Sequence, residues 1–96
     1  MDDPLSKISI DEEGNKSHWL NGRVHRTDGP AIENSSGDRG WKLNGEFHRE
    51  DGPAIEWGQG PKAWYLNGVS YSFNEWLKRT PGLTDEEKVM YKLEHG

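Results

Sequence analysis

The chain of 96 residues contains no cysteine, so neither a disulfide framework nor a thiolate metal site can form, and the redox compartment stays open. It also lacks a basic stripe. Twelve Lys and Arg stand against seventeen Asp and Glu, a net charge of −5. A nucleic-acid backbone and an anionic membrane surface both attract clustered cations, so no nucleic acid and no membrane is expected as a partner. No apolar run approaches signal-peptide or membrane-spanning length, which predicts a soluble, cytoplasmic protein. Aliphatic side chains are scarce as well. Leu, Ile, Val and Phe together number 16, a composition close to that of disordered chains. Five Trp and three Tyr argue the other way, because each such ring can bury about 150–250 Å². The expectation is one small folded domain with an aromatic core.

What the chain does have is self-similarity. The stretch Leu20-Asn21-Gly22-Arg23-Val24-His25-Arg26-Thr27-Asp28-Gly29-Pro30-Ala31-Ile32-Glu33 returns as Leu43-Asn44-Gly45-Glu46-Phe47-His48-Arg49-Glu50-Asp51-Gly52-Pro53-Ala54-Ile55-Glu56. Leu66-Asn67-Gly68 opens a third copy at the same offset of 23 residues. Moving back by that offset sets Ile8 under Ala31 and His18 under Trp41, so 8–17 reads as the second half of an incomplete unit. A fixed period of this length marks units too small to bury an apolar face alone, which must stack on one another.

Turn chemistry divides each unit. Asn-Gly between alternating residues is a strong hairpin signal, placing type I′ turns at Asn21-Gly22, Asn44-Gly45 and Asn67-Gly68. Asp28-Gly29-Pro30 and Asp51-Gly52-Pro53 punctuate again: Asp bonds its own backbone, Gly takes an unusual φ, and Pro withholds a ladder donor. The hairpins would set Lys42 opposite Phe47, Trp41 opposite His48, His18 opposite His25, and Trp64 opposite Tyr71. The fold predicted is α+β, mainly β: an antiparallel meander of 23-residue hairpin repeats ending in helices.

The period changes after Tyr71. Ser72-Phe73-Asn74-Glu75 has capping-box form, and Phe73, Trp76 and Leu77 share one helical face. Pro81-Gly82 stops that helix. Thr84-Asp85-Glu86-Glu87 opens a second, with Val89, Met90 and Leu93 as its apolar stripe and an end near Gly96. The organisation expected is a flexible acidic N-terminus over 1–7, the repeat sheet over 8–71, and a helical cap over 72–96.

His25-Arg26-x-Asp28 and His48-Arg49-x-Asp51 hold the residue types of a base, an oxyanion clamp and a carboxylate. Yet they recur once per unit, as structural positions do, whereas a catalytic set converges once. The expected role is structural: His against the aromatic row, Arg on a carboxylate or turn carbonyl, Asp at its turn. Trp41 and Trp64 belong to the same set of repeat positions. His18, His25 and His48 offer at most two ligands within reach of one ion, too few for a specific site. No metal, no cofactor and no enzymatic activity is expected. Trp57, Phe47, Trp19 and Tyr65, with Arg49 and Arg26, are residue types that dominate binding hot spots, and they form the candidate partner surface. Trp57, beside Gly58-Gln59-Gly60, is the ring expected to stand exposed.

The unit Trp-x-Leu-Asn-Gly-x-x-His-Arg-x-Asp-Gly-Pro-Ala-Ile-Glu resembles a MORN-type repeat over about residues 8–71. The ending Asn-Glu-Trp-Leu-Lys followed by Asp-Glu-Glu-Lys is similar to small accessory proteins of tailed bacteriophages. That resemblance implies a non-enzymatic binding protein that inhibits a host or anti-phage defence factor. Two alternatives are an antitoxin-like partner protein and a sponge for a small nucleotide-like ligand held between aromatic rings and Arg. The incomplete first unit leaves an edge strand near residues 8–10, which predicts a monomer or a weak homodimer paired through that edge.

Overall fold

Among the residues described by this computed structural model, 6–95, ten short strands precede two helices. They are β1 (Ser6–Ile10), β2 (Lys16–Leu20), β3 (Arg23–Val24), β4 (Ile32–Glu33) and β5 (Arg39–Gly40). β6 (Lys42–Leu43), β7 (Glu46–Phe47), β8 (Ile55–Glu56), β9 (Lys62–Leu66) and β10 (Val69–Tyr71) follow, then α1 (Phe73–Arg79) and α2 (Asp85–His95). All strand pairings are antiparallel, and the fold is α+β. Residues 1–5 of the expected acidic N-terminus lie outside the described residues. Its last two do not fray: Ser6 and Lys7 pair with Leu20 and Trp19.

The Asn-Gly pairs turn the chain as their chemistry dictates. A type I′ hairpin needs positive φ at both central residues, which Asn and Gly tolerate and branched side chains do not. Asn21, Asn44 and Asn67 have φ of 53°, 52° and 51°, and Gly22, Gly45 and Gly68 follow at 78°, 84° and 81°. The registers are those the turns impose: Trp19 opposite Val24, Lys42 opposite Phe47, Trp64 opposite Tyr71.

The strand order is not that of a plain meander. The larger sheet runs β1-β2-β4-β5-β8-β9-β10 with β3 beside β2, while β6 and β7 form a separate ladder. The reason lies in the middle residue of each central strand. His18 donates its N–H to the Ala31 carbonyl, and its own carbonyl accepts from His25 N–H. Trp41 does the same between Ala54 and His48. One half of the strand therefore pairs with its own hairpin, and the other half with the strand after the Asp-Gly-Pro turn. β3 and β4 lie end to end along one edge of β2.

Burial concentrates at the C-terminal end. Trp64, Leu66, Trp76 and Leu77 form the core, surrounded by Tyr71, Phe73, Leu83 and Tyr91. α1 starts at the Ser72 cap, whose hydroxyl accepts from Glu75 N–H, and it lays Trp76 against Trp64 with ring centroids 4.6 Å apart. α2 opens on a reciprocal box: Thr84 Oγ1 accepts from Glu87 N–H, and the Glu87 carboxylate accepts from Thr84 N–H. Its expected inward stripe is corrected by the structure. Val89, Met90 and Leu93 are exposed, Leu93 at 83%, whereas Tyr91 and His95 turn onto the rings of Trp76 and Trp64. Aromatic edges fit the Trp-lined surface better than aliphatic branches, so the helix is rotated away from its most apolar face. Gly96, where the helix was expected to stop, lies outside the described residues. No described helix is long and apolar enough to cross a membrane.

Trp76 ties cap to sheet, since its ring is fully buried and its Nε1–H donates to the Arg49 carbonyl at 2.9 Å. Trp76→Ala removes both contacts and is expected to cost about 3–5 kcal/mol, a large part of the roughly 5–15 kcal/mol typical of a domain. Trp76→Phe keeps most of the packing but orphans the carbonyl, at about 1–3 kcal/mol. Urea denaturation followed by tryptophan fluorescence checks the order of the two variants.

Candidate functional site

The His-Arg-x-Asp-Gly-Pro segments build a hub in each full unit. Arg26 Nε donates to Asp28 at 2.8 Å, and its Nη1 reaches the Pro30 carbonyl and the Glu33 carboxylate, both at 3.1 Å. Arg49 repeats the pattern with Asp51 at 2.9 Å, the Pro53 carbonyl at 3.0 Å and Glu56 at 3.4 Å. The expectation that Arg holds a carboxylate or a turn carbonyl is thus met by both at once. Arg49 also lies 3.7 Å from the centre of the Trp41 ring, a cation–π contact. At the matching place in the preceding unit, Arg26 Nη1 faces His18 Nε2 at 3.1 Å.

The glycine of each Asp-Gly-Pro turn does not adopt the unusual φ expected of it; neither Gly29 nor Gly52 has positive φ. It is needed for space. A Cβ at Gly52 would stand 2.7 Å from Arg49 Cζ, and one at Gly29 3.1 Å from Arg26 Cζ. Asp28 and Asp51 serve the guanidinium. The Arg26 hydrogen bond and charge hold the Asp28 carboxyl below the usual carboxylate range.

Histidine joins one unit to the next. His25 Nδ1 accepts the backbone N–H of Asn44 at 2.9 Å, and His48 Nδ1 accepts that of Asn67 at 2.9 Å. Each nitrogen therefore carries a lone pair, and the ring proton sits on Nε2. For His48 that proton points at Glu50, 2.9 Å away. The neighbouring glycine adds a second bond: Gly45 N–H reaches the Val24 carbonyl, and Gly68 N–H the Phe47 carbonyl, each at 2.8 Å. Packing against an aromatic row, the role expected for these imidazoles, is secondary to this docking of hairpin tips. Among the described residues no three His, Asp or Glu side chains gather to hold a metal ion.

Side-chain contacts divide the six candidate partner residues between two faces. Arg26 and Arg49 lie with His18, Trp41 and Trp64 on the face that α1 covers, and they are spent on the contacts above. Trp19, Phe47, Tyr65 and Trp57 lie on the other. There Tyr65 and Phe47 pack with centroids 5.3 Å apart, and Lys42 Nζ sits 4.4 Å over the Phe47 ring. Trp19 stands apart, bonded through Nε1 to Ser9 Oγ in the first unit. Trp57 is 41% exposed, as expected of it. Between Phe47 and Trp57 lies a recess of about 230 Å³ flanked by Ile32 and Ile55. Its floor is Gly40, paired with Ile32 on one side and Ile55 on the other. A Cβ there would come within 3.2 Å of the Phe47 ring. Sequence reasoning missed Ile32, Ile55 and Gly40. The available signal was that Gly40 breaks the pattern of Ser17 and Ala63 at the same repeat position.

A second depression, of about 350 Å³, separates the Arg49 hub from the turn at 81–83. Two guanidinium groups line it, Arg26 and Arg49, against three carboxylates, Glu50, Asp51 and Glu87. Charge of that balance disfavours a phosphate, so the cleft gives a nucleotide-like ligand no support.

Burial and the Arg26 charge push the His18 imidazole below its ordinary value of 6.5. The folded state then binds fewer protons than the unfolded one between the two values. Its contribution to stability is full above about pH 6.5 and is lost as pH falls toward the folded value. His18→Gln, whose amide oxygen can still accept from Arg26, is expected to flatten the dependence of unfolding free energy on pH on the acid side of about pH 6.5. Urea titrations across that window check it, with parallel slopes in the two proteins as the contrary result.

No family model matches the chain, and no curated protein and no solved structure matches it, so what the site can do is argued from its own geometry.

Proposed function

We propose that this protein is a non-catalytic binding module, an array of 23-residue units whose uncovered sheet face grips another protein. The observation that carries the reading is the recess over Gly40. An apolar side chain of the partner fits between Phe47 and Trp57, against Ile32 and Ile55. Small-molecule pockets commonly enclose about 300–1,000 Å³, and this one is smaller, shallow and continuous with the Phe47–Tyr65 pair. It has the form of a hot spot: stiff rings around an apolar centre, with the charged rim of Asp38, Arg39 and Lys42 outside. The His-Arg-Asp sets do not argue for catalysis, because each Arg is engaged with its Asp and its turn carbonyl, and each His Nδ1 with a neighbouring unit.

The likeness of the capped repeat to small tailed-phage proteins supports a host or defence protein as the partner, met in the bacterial cytoplasm. Inhibition would follow from covering that protein's surface. The acidic balance of the chain favours a partner of basic or neutral surface.

With the partner in hand, Trp57→Ala is expected to weaken binding about thirtyfold or more, the effect of removing a hot-spot ring. The melting temperature is expected to stay where it was, because the ring stands largely outside the core. Leu93→Ser, on the exposed side of α2, is expected to leave the affinity unchanged. Calorimetric titration of both variants tests the assignment; full affinity in Trp57→Ala together with loss in Leu93→Ser would move the partner to the helical cap.

A further inference from the structure

The three Asn-Gly tips share a sequence and a turn type, yet they are not held alike. Asn44 N–H donates to His25 Nδ1, and Gly45 N–H donates to the Val24 carbonyl. Asn67 and Gly68 repeat both bonds with His48 and Phe47. At Asn21 and Gly22 neither bond has a counterpart among the described residues. The surroundings differ in the same sense. A Cβ built on Gly68 would stand 2.7 Å from the Glu46 carboxylate and one on Gly45 3.9 Å from Arg23 Cβ, whereas one on Gly22 meets nothing within 4 Å. Asn21, Gly22 and Arg23 are all exposed. The first tip has the chemistry of the other two without their docking.

Asn-Gly carries a reaction of its own. With no Cβ on the following residue, the backbone nitrogen of that residue can reach the asparagine side chain. This nitrogen gives its proton to solvent base and attacks the asparagine Cγ. The N–Cγ bond forms, the Cγ–Nδ2 bond breaks, and Nδ2 takes up a proton and leaves as ammonia. Water then opens the resulting five-membered succinimide, at Cγ to give aspartate or at the α carbonyl to give isoaspartate. The balance is one amide and one water for one carboxylic acid and one ammonia. Ring closure needs dihedrals other than those of a type I′ turn, so the tip must first open. Opening either later tip breaks two bonds to the preceding unit, one of them on the attacking nitrogen itself.

We propose that Asn21 is the site of spontaneous deamidation in this chain, while docking protects Asn44 and Asn67. The remaining asparagines, Asn15, Asn34 and Asn74, precede Lys16, Ser35 and Glu75, whose side chains hinder the same ring closure. The mark adds a negative charge just past β2, and as isoaspartate it inserts a methylene into the backbone. The two pairs that join β2 to β3, Trp19–Val24 and Leu20–Arg23, stand beside it. β3 leads directly into His25, so ageing of the first tip acts on the acceptor that docks the second. The recess over Gly40 uses none of these residues.

Tryptic cleavage after Lys16, Lys42 and Lys62 puts each tip in its own peptide. The intact chain is held in warm, mildly alkaline buffer, then digested at intervals, and the mass gain and isoaspartate content of each peptide are followed. Asn21 is expected to react about tenfold or more faster than Asn44 and Asn67, the effect of two further hydrogen bonds to break. In strong urea the three rates are expected to converge. His25→Ala removes the acceptor at Asn44 and is expected to raise its rate severalfold over that of Asn67, which keeps His48. Equal rates at the three tips of the folded chain, or a lead of Asn21 undiminished in urea, would overturn the proposal. So would an Asn44 rate level with that of Asn67 in His25→Ala whose far-ultraviolet dichroism is that of the wild type.

Discussion

A single contact sets the spacing of everything else: the imidazole of one unit accepting the amide N–H of the next hairpin tip. A type I′ turn leaves the N–H of its first central residue without a partner inside the hairpin. The tips at Asn44 and Asn67 stand exposed, so an acceptor that replaces water there also fixes where each later hairpin sits. His25 and His48 supply it to Asn44 and Asn67 at the same distance, 2.9 Å. At the other end of each unit the same device recurs with a different side chain. Asn15 Oδ1 accepts from Ser35 N–H, and Asp38 Oδ1 accepts from Gly58 N–H. Neighbouring segments are thereby pinned at both ends by side chain to backbone bonds, with only short ladders between them.

The arginine hubs complete this economy in a chain with few aliphatic residues. Where a larger domain would fill the space under a turn with Leu or Ile, here a guanidinium lies flat against a glycine, bonded to an acid and a carbonyl. Arg49 turns its other side to Trp41. The C-terminal end follows another solution at the same place. Ser72 stands where a third arginine would, since it is 23 residues beyond Arg49, and it caps a helix instead. Trp64 consequently meets Phe73 and Trp76 rather than a guanidinium. The core sits under α1 for that reason, and burial thins out toward β1.

Much of this was legible in the residues. Asn-Gly identified each hairpin and its register because few other pairs tolerate those dihedrals. Ser72 and Thr84 marked the helix starts through the spacing of their acids. The strand order was less legible, because the division of β2 at His18 depends on which carbonyl meets which amide, a tertiary matter that periodicity does not encode. The same holds for α2: its pattern named Val89, Met90 and Leu93 as the packed stripe, while the Trp-rich surface beneath selected Tyr91 and His95. Among the candidate binding residues, alternation alone would have set Arg49 on the face of Phe47, two positions earlier; both arginines lie past the ends of β3 and β7, where the period of two no longer holds. What hid the recess was its floor. A glycine in a repeat reads as a turn signal, and at Gly40 it is instead a missing side chain between two isoleucines.

The claim on which the account rests is that His25 and His48 act as acceptors between units. Long-range proton–nitrogen correlation spectra of the imidazoles report it directly at neutral pH. The account predicts that both rings carry their proton on Nε2 and leave Nδ1 bare, with the Asn44 and Asn67 amides slow to exchange with solvent. Protons on Nδ1 of these rings, or freely exchanging amides at Asn44 and Asn67, would contradict it.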